Sequence, residues 1–290
     1  MSIDSLKYSI NLLYHQFSRN FFAESSGHLH VVKRLFYALA AVVAALMLAS
    51  IAWQQVYLFS VAGVFKDEGC ATDSPLHILL SFDDRAHLDD WVEIAPELAE
   101  REVVATFMLD RIGTMENVHW QKVQVLIDNG HALGYHGEHH LGAVASGLAP
   151  EAWVEQEVLP SIEVFNERNL SSEVIAMPHG DSTSEHEAVI LEVVERVRLT
   201  SGPSRGDVTP WSSGCGTGPV HAAVSLDERR GGVDRWLPDL LPMREKVGYG
   251  VVHVYAHEVG GEGIDSAALF AIVEASQSRG WSWVGYDALT

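Results

Sequence analysis

Continuous apolar runs alternate with segments of helical spacing from residue 76 to residue 290, and this alternation constrains the fold more than any other feature of the sequence. The runs LHILLSF (76–82) and VVHVYAH (251–257) are typical of strands that are buried on both faces. The segments DDWVEIAPELAERE (89–102) and SAALFAIVEASQSRG (266–280) have apolar residues at helical intervals. Repeated strand–helix units predict a parallel sheet with helices packed outside it. About seven units fit a closed or nearly closed barrel, so we predict one α/β domain over residues 76–290.

The same patterns assign the other elements of this domain, with Gly130 placed to end one helix. The further predicted strands are 103–109, 131–136, 173–178, 198–202, 220–226 and 281–286, and the further predicted helices are 117–130, 150–169, 185–197 and 234–248.

An uncharged apolar run, LFYALAAVVAALMLASIAW (35–53), precedes the domain. It is long enough to cross a hydrocarbon core of ~30 Å at ~1.5 Å per residue. Basic residues are concentrated on its N-terminal side, which favours a cytoplasmic N-terminus. We therefore predict a single-pass protein with a cytoplasmic segment (1–34), a transmembrane anchor (35–59), a linker (60–75) and an exported domain. A buried soluble helix and a cleaved signal peptide are the alternatives, but the segment before the run is long for a signal peptide.

Net charge and cysteine content restrict the partners of the chain. The formal charge of −20 repels phosphates, so nucleic acid is not an expected partner. The two cysteines, Cys70 and Cys215, could form one disulfide outside the cytoplasm or remain free thiols.

Polar residues follow four predicted strands, where active sites of parallel α/β folds gather. These positions are Asp83 with Asp84, His136 with His140, the segment MPHGDS (177–182), and His257 with Glu258.

Asp84, His136 and His140 together have the composition of a three-ligand metal site. Two imidazoles four residues apart can bind one ion, and a carboxylate completes the set while leaving positions open for water and substrate. Asp83 would then lie beside the metal and take a proton from water, and His257 could protonate a leaving group.

Each of these features has a structural alternative when it stands alone. An aspartate pair after a strand is often a helix cap. A histidine pair at this spacing is a weak metal signal, and His257 could be a satisfied buried polar group. Their joint occurrence at strand ends favours the metal site. We expect Glu138, between the two histidines, to be a solvated loop carboxylate, and the alternative is a carboxylate that supports one of the histidines.

The segments LLSFDDRAH, LGYHGEHH, IAMPHG and VYAHE resemble, in this order, the motifs of the NodB-type polysaccharide deacetylases, carbohydrate esterase family 4. The resemblance covers most of residues 75–290 and implies a distorted (β/α) barrel. It implies Asp84, His136 and His140 as metal ligands, Asp83 as general base and His257 as general acid. The implied cofactor is a divalent metal, with Zn²⁺ the expected ion.

Several positions depart from the family pattern. Gly137 replaces a serine or threonine whose hydroxyl could support the loop. Ala176 stands where many members have the arginine that orients the general base, and His179 or Arg205 are candidates to compensate. Tyr255 replaces a leucine of the acetate pocket. The candidates for the substrate pocket are Pro178, His179, Gly180 and Tyr255, and Trp211 and Trp236 are candidates for the tryptophan of the fourth motif.

The sequence thus predicts a membrane-anchored, metal-dependent hydrolase that removes N-acetyl groups from a glycan outside the cytoplasm. The alternatives are a related amidohydrolase or O-acetyl esterase, and a degenerate domain that binds glycan without turning it over.

Overall fold

The computed structural model describes residues 76–200, 218–230 and 251–289. The strands are β1 (His77–Asp83), β2 (Ala105–Leu109), β3 (Ala132–Tyr135), β4 (Val174–Ala176), β5 (Arg196–Thr200), β6 (Val220–Ser225), β7 (Val251–Ala256) and β8 (Ser282–Trp283). The helices are α1 (Leu88–Glu100), α2 (Asn117–Asp128), α3 (Ala143–Ser146), α4 (Pro150–Glu157), α5 (Leu159–Glu167), α6 (Ser184–Ile190) and α7 (Ser266–Gln277). Short 3-10 helices lie at Arg85–His87, Ile112–Thr114, Pro178–Gly180, Glu228–Arg230 and Tyr286–Leu289.

Seven parallel strands close into a barrel in chain order, because β7 pairs with β1. On its other edge β1 pairs with β2 through Leu80–Asp83. The eighth strand, β8, pairs with His77 and Ile78 at the beginning of β1. It therefore lies on the same edge as β2, nearer the amino end of β1. The predicted (β/α) barrel of about seven strands is confirmed.

The buried residues form one apolar layer outside the barrel and a smaller one inside it. In the outer layer Phe82 and Phe107 stack with ring centroids 5.4 Å apart, and Trp91 of α1 packs against both. The inner layer includes Leu79 and Met108. Because side chains alternate along a strand, Asp83 has the same parity as Leu79 and faces the barrel interior. The alternation thus places a carboxylate at the mouth of the barrel.

The predicted helix 150–169 is wrong in one respect, since the structure contains two helices, α4 and α5, that meet at Val158. Pro160 lies in the first turn of α5. A proline inside a helix lacks an amide hydrogen and its ring collides with the preceding turn, so the chain starts a new helix there. The break leaves Glu157 as the last residue of α4.

The predicted helix 185–197 is also too long, because α6 ends at Ile190 and β5 begins at Arg196. Residues of β5 pair with β4 on one side and with β6 on the other. Pairing in the sheet outweighs the local helical spacing of this segment.

Several predicted features lie outside the described residues: the segment 1–34, the anchor 35–59, the linker 60–75, the helix 234–248, and both Cys70 and Cys215. Within the ranges that the structure describes, no helix combines the length and the hydropathy needed to cross a membrane. The anchor and the disulfide stay predictions.

Candidate metal centre

The carboxyl ends of β1, β3 and β7 bring Asp84, His136 and His257 to one rim of the barrel. All pairings of these strands are parallel, so the loops that follow them share the same end. His140 follows on the loop after β3. Four of the residues predicted from the sequence therefore lie together, although they come from three separate parts of the chain.

Asp84, His136 and His140 present three donor atoms to one point. Asp84 Oδ1 lies 3.1 Å from His140 Nε2 and 3.4 Å from His136 Nε2, and the two imidazole nitrogens are 3.2 Å apart. Donors bound to one tetrahedral ion at ~2.1 Å would lie about 3.4 Å from one another. The spacing of these donors fits a zinc-sized cation with positions left for other ligands.

The ring of His136 is held so that its Nε2 faces the other two donors. The ring is buried, and its Nδ1 lies 2.8 Å from the carbonyl oxygen of Ala176, to which it donates a hydrogen bond. In the neutral ring Nε2 then has a free lone pair. Burial alone would lower the pKa of His136, but the Asp84 and Asp83 carboxylates outweigh it and raise this pKa. A proton and a metal ion therefore compete for the same nitrogen.

Two of the three donors lie on strained backbone. Asp84 has a φ of 70° and His140 a φ of 58°, in the region that residues other than glycine rarely adopt. Such a conformation costs on the order of 1–3 kcal/mol and persists only where surrounding contacts impose it.

Asp83 lies inside the barrel and forms an ion pair with Arg198 of β5. Arg198 Nη2 donates to Asp83 Oδ2, and both side chains are buried. Asp83 Oδ1 is also buried and has no hydrogen-bond partner among the described residues. Burial alone would lower the pKa of Arg198, but the charge of Asp83 outweighs it and raises this pKa. The guanidinium thus stays charged beside the carboxylate.

Arg198 was not among the residues that we expected to compensate for Ala176. It is the direct neighbour of Ala176 on the adjacent strand, in register with it. His179, one of the two expected residues, is exposed and contacts His140 with ring centroids 4.6 Å apart. Arg205, the other one, lies outside the described residues. In the described barrel the arginine beside Asp83 is supplied by β5.

His257 follows β7 and is fixed by Asp227, a buried carboxylate that the sequence analysis missed. His257 Nδ1 lies 2.7 Å from Asp227 Oδ2, and the His257 amide donates to Asp227 Oδ1 at 3.0 Å. Burial alone would raise the pKa of Asp227, but hydrogen bonds from His257 and Ser225 outweigh it and lower this pKa. The Nε2 atom of His257 points toward the metal centre, 3.9 Å from Asp84 Oδ2.

The predicted pocket residues lie around this centre at different depths. Pro178 and Gly180 are buried in the turn after β4, and Gly180 has a φ of 68° with no room for a side chain beside Thr200. His179 projects to the surface between them. The Tyr255 ring is buried between Arg198, whose Cζ lies 4.7 Å from the ring centroid, and His257.

The loop between the two histidine donors is bound to buried carboxylates on both sides. Glu157 of α4 accepts hydrogen bonds from the amides of His139 and Leu141, at 3.0 and 3.2 Å. The expectation that Glu138 is solvated is wrong, because its side chain is buried and its two oxygens each lie 3.1 Å from the amide nitrogen of Gly113. The sequence pattern gave no reason to expect either contact.

No protein-family model and no curated protein matches the sequence. The domain is similar to the solved structure of the Bc1960 peptidoglycan N-acetylglucosamine deacetylase, which was determined in complex with a naphthyl-substituted N-hydroxybenzamide. The two are 16% identical, the alignment covers 76% of this chain and 89% of that chain, and the TM-score is 0.53. The described domain has the fold of the carbohydrate esterase family 4 deacetylases.

Two further solved structures match with a TM-score of 0.48 each. One is a family 4 acetyl xylan esterase from Clostridium thermocellum in complex with a cobalt ion, 17% identical over 73% of this chain and 89% of that chain. The other is BA3943 from Bacillus anthracis, a pseudoenzyme of carbohydrate esterase family 4, 15% identical over 76% of this chain and 66% of that chain.

Proposed function

We propose that this chain, whose barrel has the fold of the family 4 polysaccharide deacetylases, is a metal-dependent hydrolase that removes acetyl groups from an N-acetylated glycan. One observation carries the proposal: three metal donors lie within 3.4 Å of one another, with a buried carboxylate and an oriented imidazole beside them. This combination provides a Lewis acid site, a base and an acid around one point, as hydrolysis of an amide requires.

The donor set supports a divalent metal, with Zn²⁺ as the expected ion. Two imidazole nitrogens and one carboxylate oxygen, with positions left open, are typical of catalytic zinc sites. When bound there, the ion would polarise the acetyl carbonyl and lower the pKa of a water molecule. Asp84, His136 and His140 would hold it.

Asp83 is suited to act as the general base. Its Oδ2 atom is held by Arg198, which fixes the orientation of the carboxylate. Its Oδ1 atom, which has no partner in the described part of the chain, is available to accept a proton from the attacking water. The arginine also removes the main reason to consider a degenerate, glycan-binding domain, which was the absence of an arginine at Ala176.

His257 is suited to act as the general acid. The Asp227 carboxylate accepts a hydrogen bond from Nδ1 and fixes the orientation of the ring. A proton on Nε2 then faces the metal centre and can pass to the amine that leaves the acetyl group. Base and acid are thus held by two different buried partners, Arg198 and Asp227.

The test is acetate release by the full chain with added zinc. N-acetylated chitooligosaccharides, acetylated xylan and small N-acetyl amides distinguish a glycan deacetylase from an esterase or a general amidase. The variant Asp84→Ala should lose both metal binding and acetate release. The control Asp89→Ala removes a carboxylate that is exposed in the first turn of α1, and it should keep both. Full activity of Asp84→Ala, or a wild-type chain that binds no metal, would refute the proposal.

The proposed location is outside the cytoplasm, on the anchor predicted at 35–59. The support is the apolar run with its basic N-terminal flank. The full chain should then stay with the membrane fraction after an alkaline carbonate wash, and release into the supernatant would contradict the anchor.

A further inference from the structure

Glu157 is a buried acid next to the metal centre that no step of the proposed hydrolysis uses. It is the last residue of α4, and its side chain has no exposed surface. A carboxylate at such a position needs hydrogen-bond donors to offset its desolvation. Its donors are backbone amides, those of His139 and Leu141, which flank the metal donor His140 in sequence.

The main chain strengthens this attachment. The carbonyl oxygen of Glu157 accepts the amide of Glu138 at 3.0 Å, and the carbonyl oxygen of Gly137 accepts the amide of Arg111 at 2.9 Å. The loop therefore contacts α4 at three of its amides while His140 keeps a φ of 58°. Strained backbone of this kind persists only where neighbouring contacts impose it.

Position 137 has no space for the side chain that would otherwise support the loop. A Cβ atom built on Gly137 would lie 2.5 Å from Glu157 Oε2 and 3.0 Å from Pro178 Cγ, and the φ of 83° disfavours any side chain there. Glycine at 137 and glutamate at 157 are therefore mutually dependent, since the carboxylate occupies the space that the glycine leaves.

We propose that Glu157 is a positioning residue of the metal centre, whose carboxylate fixes the loop 137–141 and with it the place of His140 Nε2. It takes no part in the chemistry and acts only through the geometry of a metal donor. The inference rests on the proposed function, because it assumes that His140 binds the metal.

The test is zinc affinity of the full-length variant Glu157→Gln, measured by competition with a chromophoric chelator. The glutamine has nearly the same shape, but its amide group places a donor against the amide of His139 or Leu141. We expect zinc affinity to fall about 10- to 100-fold, as for other groups that orient metal ligands. At saturating zinc, acetate release should recover most of its wild-type kcat, which general structural damage would not allow. The matched control Glu155→Gln, exposed on the same helix, should bind zinc as wild type does.

Hydrogen exchange of the metal-free wild type gives a second measurement that does not depend on a variant. The amides of His139 and Leu141 should be protected without metal, because they are bound to a buried carboxylate. Rapid exchange of both, or a Glu157→Gln variant with wild-type zinc affinity, would overturn the inference while the proposed function stands. A wild-type chain that binds no zinc would instead refute the proposed function.

Discussion

Replacing Arg198 with methionine should destabilise the barrel and lower the rate of acetate release. The guanidinium is fully buried and the side chain of Asp83 is 3% exposed, so methionine keeps much of the packing and leaves a buried carboxylate without its counter-charge. Loss of one partner of a buried ion pair typically costs ~3–5 kcal/mol. A domain of this kind has only ~5–15 kcal/mol of stability in total.

The effect on activity follows from the same loss. Without the guanidinium, the Asp83 carboxylate loses the donor that fixes its orientation, and a misplaced base is a less efficient one. We therefore expect kcat/KM to fall about 10-fold or more. Zinc content should stay unchanged, because Arg198 contacts none of the three metal donors in the described hydrogen bonds and ion pairs.

A double-mutant cycle tests the reasoning. The free energy of unfolding in urea is measured for Arg198→Met, Asp83→Asn and the double variant. The loss of stability in the double variant should be about 2 kcal/mol smaller than the sum of the losses in the two single variants. The control is Arg196→Met in the same strand, since this buried arginine donates to the Leu289 carbonyl oxygen. It should lose stability but keep most of the wild-type kcat/KM. A wild-type kcat/KM in Arg198→Met, with coupling below about 0.5 kcal/mol, would refute the reasoning.

Two further substitutions test the other buried polar groups. Asp227→Asn should lower kcat about 100-fold with little change of KM or zinc content, because His257 loses the carboxylate that fixes its ring. Steady-state kinetics at saturating zinc would check this, and an unchanged kcat would contradict it. His221→Phe should make the domain less sensitive to acid. Burial, together with the nearby His253 and Arg196, lowers the pKa of His221 from 6.5 to about 2. Between these two pH values the imidazole of His221 is protonated in the unfolded chain but not in the folded domain. The contribution of His221 to the free energy of unfolding is thus fully present above pH 6.5 and is lost as the pH falls, by about 2 kcal/mol between pH 7 and pH 5. Urea unfolding at both pH values should show that loss in wild type and a smaller one in the variant, and equal losses would exclude His221 as the cause.

The sequence was sufficient to predict the barrel and the position of the carboxyl ends of its strands at one rim. Apolar runs identify parallel strands, and polar residues that directly follow them must share one rim once the strands are parallel. For this reason the sequence alone predicts that Asp84, His136 and His257 lie together. The strained backbone at Asp84 and His140 could not be predicted, since it depends on tertiary contacts.

The two buried partners of the acid and the base were missed for different reasons. Asp227 lies two residues after the end of β6, so the rule that identified the other strand ends could have found it. Arg196, Arg198 and Thr200 alternate with apolar residues in β5, which indicates a polar barrel interior. The ion-pair partner of Arg198 cannot be identified from this pattern, because Asp83 lies 115 residues away and only barrel closure brings the two together.

Two of the departures from the family pattern have a charged residue beside them on a neighbouring element. Arg198 lies in register with Ala176 on the next strand, and Glu157 at the end of α4 occupies the space beside Gly137. Adjacent strands lie only ~4.8 Å apart, so a long arginine can reach the same carboxylate from either of two strands. The barrel therefore fixes the position of the charged group, whereas either of two neighbouring strands can supply the residue that carries it. A motif with one residue missing is then weak evidence for a degenerate site until the neighbouring strand has been inspected.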